Sequence, residues 1–391
     1  MAAATDVRVS SGENEYTEED WTEFSRTGPG TLAGRYLRLF WHPVYIAKDL
    51  AAGRAVPIRI MSEDFTLYRG EGGKPHVVAF RCAHRGTQLS TGWVEGDELR
   101  CFYHGWKYDG DGQCVEQPAE PEPFCSRIKI KAYPTIEYLG FVFAYLGEGE
   151  PPEFPRYPDF EGDGIHEANR YFMCVSFFNA LDNDPVHVYF VHRAPRQDFR
   201  DWKGWTPTIR AEENEWGRAN YISRQDGRVD CNLRGMPNLV IRKASGEGVG
   251  RSAESPRMDF LEWKVPIDDE SHWNVHKVLV HLSGDDARRW EERREADVAA
   301  RDVDPTGLVH QVLSGRLYMD QIDRERTRMT TVQDMVSQAG QGVIADRSDE
   351  HLGRTDVGVV HWRKIWEREL RALAEGRPLT QWARPDSMVN S

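Results

Sequence analysis

With 391 residues, the chain is long enough to form two domains, each with its own hydrophobic core. Hydrophobic residues make up 39% and aromatic residues 11% of the chain, a composition typical of a globular protein. The net charge of −13 argues against nucleic acid or an anionic membrane surface as the main partner, and it suits a basic redox partner. No apolar run has the length of a transmembrane helix and no signal-peptide pattern is present, so we expect a cytoplasmic protein.

The N-terminal part of the chain has the pattern of a small antiparallel β domain. A polar stretch with a short amphipathic piece at 18–24 comes first. Short β-rich runs separated by Gly-rich turns follow, and they are predicted at 36–47, 57–61, 65–68, 76–81, 128–132, 135–138 and 141–146. A segment rich in proline and acidic residues at 148–164 then indicates a domain boundary.

Beyond this boundary the pattern changes to strands followed by helices. Strands are predicted near 171–178, 219–223, 239–243, 258–265 and 273–282. Helices are predicted at 288–302, 324–340 and 361–374. We therefore predict an α+β protein with an N-terminal extension at 1–35 packing on the second domain, an all-β domain at 36–158 and a second domain at 159–391.

Two pairs of metal-ligand residues lie in the first domain. Cys82 and His84 are two residues apart, and Cys101 and His104 follow after sixteen intervening residues. Residues two apart in an extended backbone project to the same side, so each pair can face one point. Two thiolates and two imidazoles suit either a zinc site or a [2Fe–2S] cluster in which histidines replace cysteines on one iron.

The spacing of these four residues separates the two alternatives. Zinc fingers usually have a pair of cysteines followed by a pair of histidines. The pattern Cys-x-His followed by Cys-x-x-His instead resembles the Rieske cluster motif. The aromatic residues beside the second pair are predicted to wall the cluster from water; they are Phe102, Tyr103, Trp106 and Tyr108. The remaining cysteines are expected to be reduced core thiols; they are Cys114, Cys125, Cys174 and Cys231.

A second concentration of ligand residues begins at Asp184 and includes His187 and His192. Two histidines and a carboxylate on one face of the metal are the ligands of non-haem Fe(II) oxygenases. The two histidines are five residues apart, which on a regular helix points them about 140° from each other. They converge only where the helix is kinked, ends or contains a π-bulge. Alternatively, Asp184 is a helix N-cap before Pro185 and both histidines are incidental.

Taken together, the two motifs resemble those of the Rieske non-haem iron oxygenases, the α subunits of ring-hydroxylating oxygenases, along nearly the whole chain. The resemblance implies a Rieske domain at 36–158 and a helix-grip catalytic domain at 159–391. It further implies that His187 and His192 bind a mononuclear iron. Asp184 takes the place of the family's bridging carboxylate, which joins an iron-ligand histidine to a cluster histidine of a neighbouring chain. The family has a longer segment before this aspartate, so Asn179 and Asn183 receive no role.

The resemblance also implies a third iron ligand on a late helix. Asp334 follows Gln333, as in the Gln-Asp pair of phthalate-type members of the family. Its rivals are Asp323, Asp346 and Asp356. Three histidines on a strand-like segment are predicted to be pocket or core residues; they are His272, His276 and His281.

The activity implied by the resemblance is that of a terminal oxygenase. Such an enzyme uses O₂ and electrons from a ferredoxin or a flavin reductase to oxidise an aromatic substrate at Fe(II), and its working unit is a homotrimer. The phthalate-type C-terminal part and the run at 85–93 are similar to aromatic methyl-ether demethylases, so we predict O-demethylation with formaldehyde release. Ring hydroxylation and N-demethylation are alternatives within the family. A Rieske electron carrier and a helix-grip binding protein are alternatives outside it, and the more than 200 residues after Gly164 argue against the carrier.

Overall fold

The computed structural model describes residues 16–183, 208–223, 227, 229–244 and 256–383. Within these ranges the chain forms four sheets, all antiparallel, together with helices that lie mainly after the last strand. The predicted α+β class is confirmed. No helix of the described ranges is both long and apolar enough to cross a membrane.

The N-terminal part contains two short helices and three of the sheets. The helices are α1 Glu18–Thr22 and α2 Leu32–Leu37. The strands are β1 Trp41–Ile46, β2 Arg54–Ile60, β3 Glu63–Arg69, β4 Pro75–Ala79, β5 Trp93–Glu95, β6 Glu98–Arg100, β7 Lys107–Tyr108, β8 Cys114–Glu116, β9 Ala132–Tyr133, β10 Thr135–Tyr138 and β11 Phe141–Tyr145. They pair in the orders β1-β11-β10, β2-β3-β4-β9 and β5-β6-β7-β8.

The second part is built on one seven-stranded sheet. Its strands are β12 Ile165–Met173, β13 Thr208–Asn214, β14 Gly217–Ser223, β15 Val229–Gly235, β16 Leu239–Ala244, β17 Met258–Pro266 and β18 His272–Val280, in the order β12-β18-β17-β16-β15-β14-β13. The helices are α3 Phe177–Leu181, α4 Gly284–Ala300, α5 Pro305–Leu313, α6 Met329–Ala339 and α7 Val357–Ala374.

Helix α7 packs on β13 and β14 at one edge of the large sheet and on α1 and α2, and it carries the apolar stripe that the sequence predicts. Trp362, Ile365, Trp366 and Leu370 recur at helical spacing and are at most 1% exposed. Phe24, from the N-terminal segment, stacks on Phe178 and meets the edge of the Trp366 ring. The N-terminal segment thus shares a core with the helices of the second part.

Three predicted boundaries are wrong, and in two of them a capping side chain decides where a helix begins. The strand predicted at 171–178 ends at Met173, and Ser176 then caps α3 by accepting a hydrogen bond from the Phe178 N–H. Residues 36 and 37, predicted as strand, end a helix that Thr31 caps. The helix predicted at 324–340 begins only at Met329.

One face of the large sheet packs against the N-terminal sheets. Trp263 of β17 meets the rings of Phe141 and Phe143 edge-on, with centroids 6.0 and 5.6 Å away. The Met61 N–H donates to the Pro266 carbonyl at 2.9 Å, which joins the β2–β3 turn to the end of β17. Since strand side chains alternate between faces, the neighbouring residues of β17 point to the opposite face, on which α7 covers β13 and β14.

Candidate functional site

Cys82 and His84 lie in a tight loop that follows β4. The Cys82 N–H donates to the Thr87 carbonyl at 2.8 Å, and the Gly86 N–H donates back to the Cys82 carbonyl at 2.9 Å. Gly86 has φ +76°, a left-handed conformation that favours glycine. The loop is therefore closed by its own backbone, with Cys82 at the base and His84 at the tip.

Cys101 and His104 lie in a second loop of the same construction, after β6. The Cys101 N–H donates to the Trp106 carbonyl at 2.8 Å, and the Gly105 N–H donates to the Cys101 carbonyl at 3.1 Å. Gly105 has φ +74°. In both loops a cysteine is followed four residues later by the glycine that closes the turn, so the two loops present their ligand residues in the same way.

The two loops bring all four predicted ligands together. The rings of His84 and His104 are 4.5 Å apart between centroids. Cys82 and Cys101 are 3% and 2% exposed and share one apolar cluster. Burial, and to a lesser degree the nearby Cys82 sulfur, raises the pKa of the Cys101 thiol. Buried thiolates at this position therefore need a cation beside them.

The donor atoms fit a two-iron cluster. The buried Nδ1 of His84 has no hydrogen-bond partner in the described part of the chain. Buried polar atoms normally have a partner, so this nitrogen is available to bind a metal. Two buried sulfurs on one side and two imidazoles on the other match the ligand types of a Rieske centre.

Two of the four predicted aromatic residues do wall this site. Tyr108 is fully buried, and its hydroxyl oxygen lies 3.2 Å from the Cys82 sulfur while it accepts a hydrogen bond from the Ala83 N–H at 3.2 Å. Trp106 is 4% exposed and stacks on the His84 ring at 4.5 Å. These rings exclude water and, through the tyrosine hydroxyl, place a polar group next to a sulfur.

The other two are exposed, Phe102 by 59% and Tyr103 by 56%. The prediction is wrong for Phe102, whereas the Tyr103 ring lies 3.7 Å from the His104 ring and covers it from the solvent side. Both residues occupy the tip of the turn that Gly105 closes, so their side chains point outward. Trp93, 51% exposed, lies 5.4 Å from the Phe102 ring. Around His104 the protein thus presents an aromatic surface to solvent.

The predicted iron ligands His187 and His192, with Asp184, lie outside the described residues. Within those residues no three His, Cys, Asp or Glu side chains form a group that could hold one metal ion. Asp334 is described, and it lies partly buried on α6 between the buried Gln333 and Met335.

Helix α6 is tied to α3, the element that leads into the predicted iron-ligand segment. The Asn179 side chain on α3 donates to the Gly342 carbonyl at 2.9 Å and accepts from the Ala345 N–H at 3.2 Å. Asp182, just after α3, accepts from Arg347 at 3.0 Å and from Arg363 at 2.7 Å. Sequence reasoning gave Asn179 no role and missed Asp182. Asn179 holds α3 against the segment after α6, and Asp182 is bound both to that segment and to α7.

The three rival aspartates have other partners. Asp323 and Asp346 are exposed and accept hydrogen bonds from nearby residues of their own loops. The hydrogen bonds from Ser348 lower the pKa of Asp346. Asp356 accepts from the Gly353 N–H at 2.7 Å, which closes the turn before α7.

The three strand histidines are partly or fully buried. His272 is fully buried with Nδ1 2.7 Å from the Val175 carbonyl, and burial lowers its pKa to about 3. His276 Nε2 lies 3.5 Å from the Glu262 carboxylate, and His281 Nε2 lies 2.7 Å from Asp259. The prediction of core or pocket histidines is consistent with these positions.

The helix-facing side of the large sheet carries charged residues that sequence reasoning missed. Arg218, Arg234 and Glu262 are paired in register through β14, β15, β16 and β17, and each is at most 5% exposed. Lys264, two residues after Glu262, is on the same side and bonds to that carboxylate. The alternation of charged and apolar residues in 261–265 was the available signal.

Comparison with known proteins places these features in a family. Residues 40–134 match the Rieske [2Fe-2S] domain. The chain is 28% identical over 371 residues to the 5,5′-dehydrodivanillate O-demethylase oxygenase subunit of Sphingobium sp., covering 90% of this chain and 80% of that one. It is 30% identical over 397 residues to the tert-butanol monooxygenase / tert-amyl alcohol desaturase oxygenase subunit of Aquincola tertiaricarbonis, covering 91% and 78%.

The fold is also that of a solved oxygenase. In a complex of carbazole 1,9a-dioxygenase with its ferredoxin, the carbazole-bound oxygenase superposes with a TM-score of 0.62 at 20% identity, covering 93% of this chain and 96% of that one. The chain therefore belongs to the Rieske non-haem iron oxygenases, and it is a terminal oxygenase whose cofactors are a Rieske [2Fe–2S] cluster and a mononuclear iron.

Proposed function

We propose that this oxygenase O-demethylates a methoxylated aromatic acid and releases formaldehyde. The observation that carries the proposal is the similarity to the dehydrodivanillate O-demethylase subunit, which spans 90% of the chain and so includes both the cluster loops and the catalytic sheet. Hydroxylation of the methoxyl C–H bond would give a hemiacetal, which collapses to a phenol and formaldehyde.

The proposed ligands divide between two centres. The cluster would be held by Cys82, His84, Cys101 and His104, and the single iron by His187, His192 and Asp334. When bound, the cluster supplies one electron at a time and the iron supplies the oxidising power for the C–H bond. The chain's own task is to hold these ligands, bind the aromatic acid and exclude water.

The helix-facing side of the large sheet supports an acidic substrate. Arg218, Arg234 and Lys264 place three buried cations on this side. Among the described residues, Glu262 bonds to Lys264, and Glu213 lies in register with Arg218 at the edge of the sheet. Buried arginine and lysine side chains attract carboxylates more strongly than they would in water. We expect this side to orient the carboxylate of the substrate so that the methoxyl group faces the iron.

The proposed working unit is a homotrimer in which Asp184 joins the two centres of neighbouring chains. A carboxylate three residues before His187 can accept the second N–H of that imidazole and fix its orientation. A head-to-tail contact must close into a ring if every chain is to serve its neighbour. The proposed electron donor is a ferredoxin or flavin reductase, in keeping with the net charge of −13 and with the ferredoxin bound to the carbazole oxygenase.

Asp184→Asn tests this bridge. The substitution keeps the shape but removes the charge, so we expect near-normal cluster reduction, retained iron and a large loss of product in a single turnover of pre-reduced protein. If Asp184 is only a helix cap, Asn replaces it almost without loss, because the two residues cap helices about equally well. A wild-type rate and yield would therefore leave it as a cap.

The proposed reaction is tested with purified oxygenase, a generic ferredoxin–reductase pair, NADH and a panel of methoxybenzoic acids. The expected result is one formaldehyde and one phenol per substrate consumed, with about three irons per chain. His187→Ala should abolish both products while the Rieske spectrum persists. A cis-diol without formaldehyde would overturn O-demethylation in favour of ring dioxygenation. A demethylated amine from N-methylated substrates alone would favour N-demethylation.

A further inference from the structure

A cavity of about 150 Å³ lies between strands β1 and β2 on one side and strands β12 and β18 of the large sheet on the other. Its apolar wall includes Ile58 and Ile267, and its polar wall includes Tyr45, Arg170 and Trp273. A cavity of about this volume holds a benzene ring in other proteins. The space is thus large enough for one small aromatic molecule.

Arg170 is held at this cavity by two aromatic rings. Its guanidinium carbon lies 4.4 Å from the ring centroid of Tyr45 and 4.4 Å from that of Trp273. Rings that contact the face of a guanidinium fix its plane. The Tyr45 side chain also hydrogen-bonds to Arg170, and the other N–H groups at the edge of the guanidinium remain for a further partner. The side chain is therefore ordered before any ligand arrives.

Among the residues that the structure describes, no carboxylate lies within 4 Å of the Arg170 guanidinium, and Asp49 acts on its charge only from a greater distance. The other arginine at the cavity, Arg59, is paired with Asp64 at 2.9 Å. Arg210 offers a second contrast, because it lies 4.3 Å over the Tyr221 ring and is bonded to Glu212. Burial lowers the pKa of Arg170, and the neighbouring Tyr45 and the more distant Asp49 only partly offset this effect.

The cavity is on the face of the sheet opposite to the charged residues near α7. Arg170 pairs with Val275, and Trp273 is two residues from Val275, so all three share the face that packs on the N-terminal sheets. His276 is next to Val275 and points to the other face. The cavity is therefore separate from the side of the sheet to which we assign the substrate.

We propose that this cavity is a second binding site, for a small aromatic monocarboxylate of the size of benzoate. The carboxylate would accept two hydrogen bonds from N–H groups at the edge of Arg170, which is the bidentate geometry common to arginine–carboxylate pairs. The ring would displace water from Ile58 and Ile267, which is favourable in proportion to the apolar area buried. Acetate lacks the ring and benzyl alcohol lacks the charge, so each satisfies only half of the site. The proposal does not depend on which reaction the enzyme catalyses.

The test is calorimetric titration of benzoate into the metal-loaded full chain and into matched variants. Arg170→Met removes the charge and keeps an apolar side chain, and it should remove one benzoate site or weaken it by about 10-fold or more. Arg210→Met is the control, because that arginine is also stacked on a tyrosine but has its own carboxylate; it should bind benzoate as the wild type does. The number of benzoate sites is compared between the wild type and each variant, so benzoate bound near the iron contributes equally to both and does not affect the result.

A second variant tests the same cavity in case Arg170→Met does not fold. Ile267→Phe fills the cavity from its partly exposed edge and leaves Arg170 in place, so it too should lose one benzoate site. Acetate and benzyl alcohol should each bind the wild-type site about 10-fold more weakly than benzoate. Equal numbers of sites and equal affinities in the wild type, Arg170→Met and Ile267→Phe would overturn the proposal, as would benzyl alcohol binding as tightly as benzoate.

Discussion

The two proposed metal centres differ in how their ligands are brought together. The cluster residues lie within 82–104, in two loops that are each closed by hydrogen bonds of their own backbone. The proposed iron ligands come from 187–192 and from Asp334 on α6, so they meet only if α6 is correctly placed. Asn179 and the ion pairs of Asp182 hold α3 against the segment after α6 and against α7. The first centre is therefore a local structure, whereas the second depends on packing between distant segments.

We expect substitution of a single ligand to abolish binding of the whole cluster. Cys101→Ser replaces a thiolate by a hydroxyl that ionises far less readily, so we expect complete loss of iron–sulfur absorption and of turnover. Cys114→Ser is the matched control, because Cys114 is equally buried in the same apolar cluster but is not a proposed ligand. A Cys101→Ser protein with an intact Rieske EPR signal would show that this loop does not hold the cluster.

Loss of Asp334 should remove the single iron and spare the cluster. In Asp334→Ala we expect iron content to fall from about three to about two per chain, with an unchanged Rieske spectrum and no product formation. Asp346→Ala, an exposed aspartate of the same region, should keep full activity. If Asp334→Ala keeps its third iron while Asp346→Ala loses it, the ligand assignment moves to Asp346.

Asn179 tests whether packing, rather than ligation alone, maintains the second centre. Asn179→Ala removes buried hydrogen bonds to Gly342 and Ala345, so the free energy of unfolding should fall by about 1–3 kcal/mol. We also expect partial loss of the single iron and no change in cluster content. Gln311→Ala, at an exposed position on α5, should change stability by less than about 0.5 kcal/mol. Urea unfolding and metal analysis of both variants give the comparison.

The smallest predicted effect concerns the environment of the cluster. Tyr108→Phe removes the hydroxyl 3.2 Å from the Cys82 sulfur, and losing a hydrogen bond to a ligand sulfur should lower the reduction potential. Tyr68→Phe is the control, since that hydroxyl donates to the Asp97 carbonyl at 3.0 Å instead. Redox titrations followed by circular dichroism measure both. Identical potentials in the two variants would mean that the hydroxyl does not act on the cluster.

Features that depend on spacing along the chain could be predicted from the order of the amino acids. Cys82, His84, Cys101 and His104 could be paired because each pair lies within a single loop. The stripe from Trp362 to Leu370 indicated the buried face of α7, because helical periodicity shows which residues share a side. The antiparallel N-terminal sheets followed from short strands with turns between them.

Which side chains are exposed, and which meet across strands, could be learned only from the folded chain. Phe102 and Tyr103 could not be distinguished from Trp106 and Tyr108 by residue type, because the turn at Gly105 sets their direction. Strand register places Arg218 beside Arg234, and domain packing places Arg170 between Tyr45 and Trp273. Such contacts join residues far apart in the chain, and local sequence patterns carry no information about register or about which faces pack together.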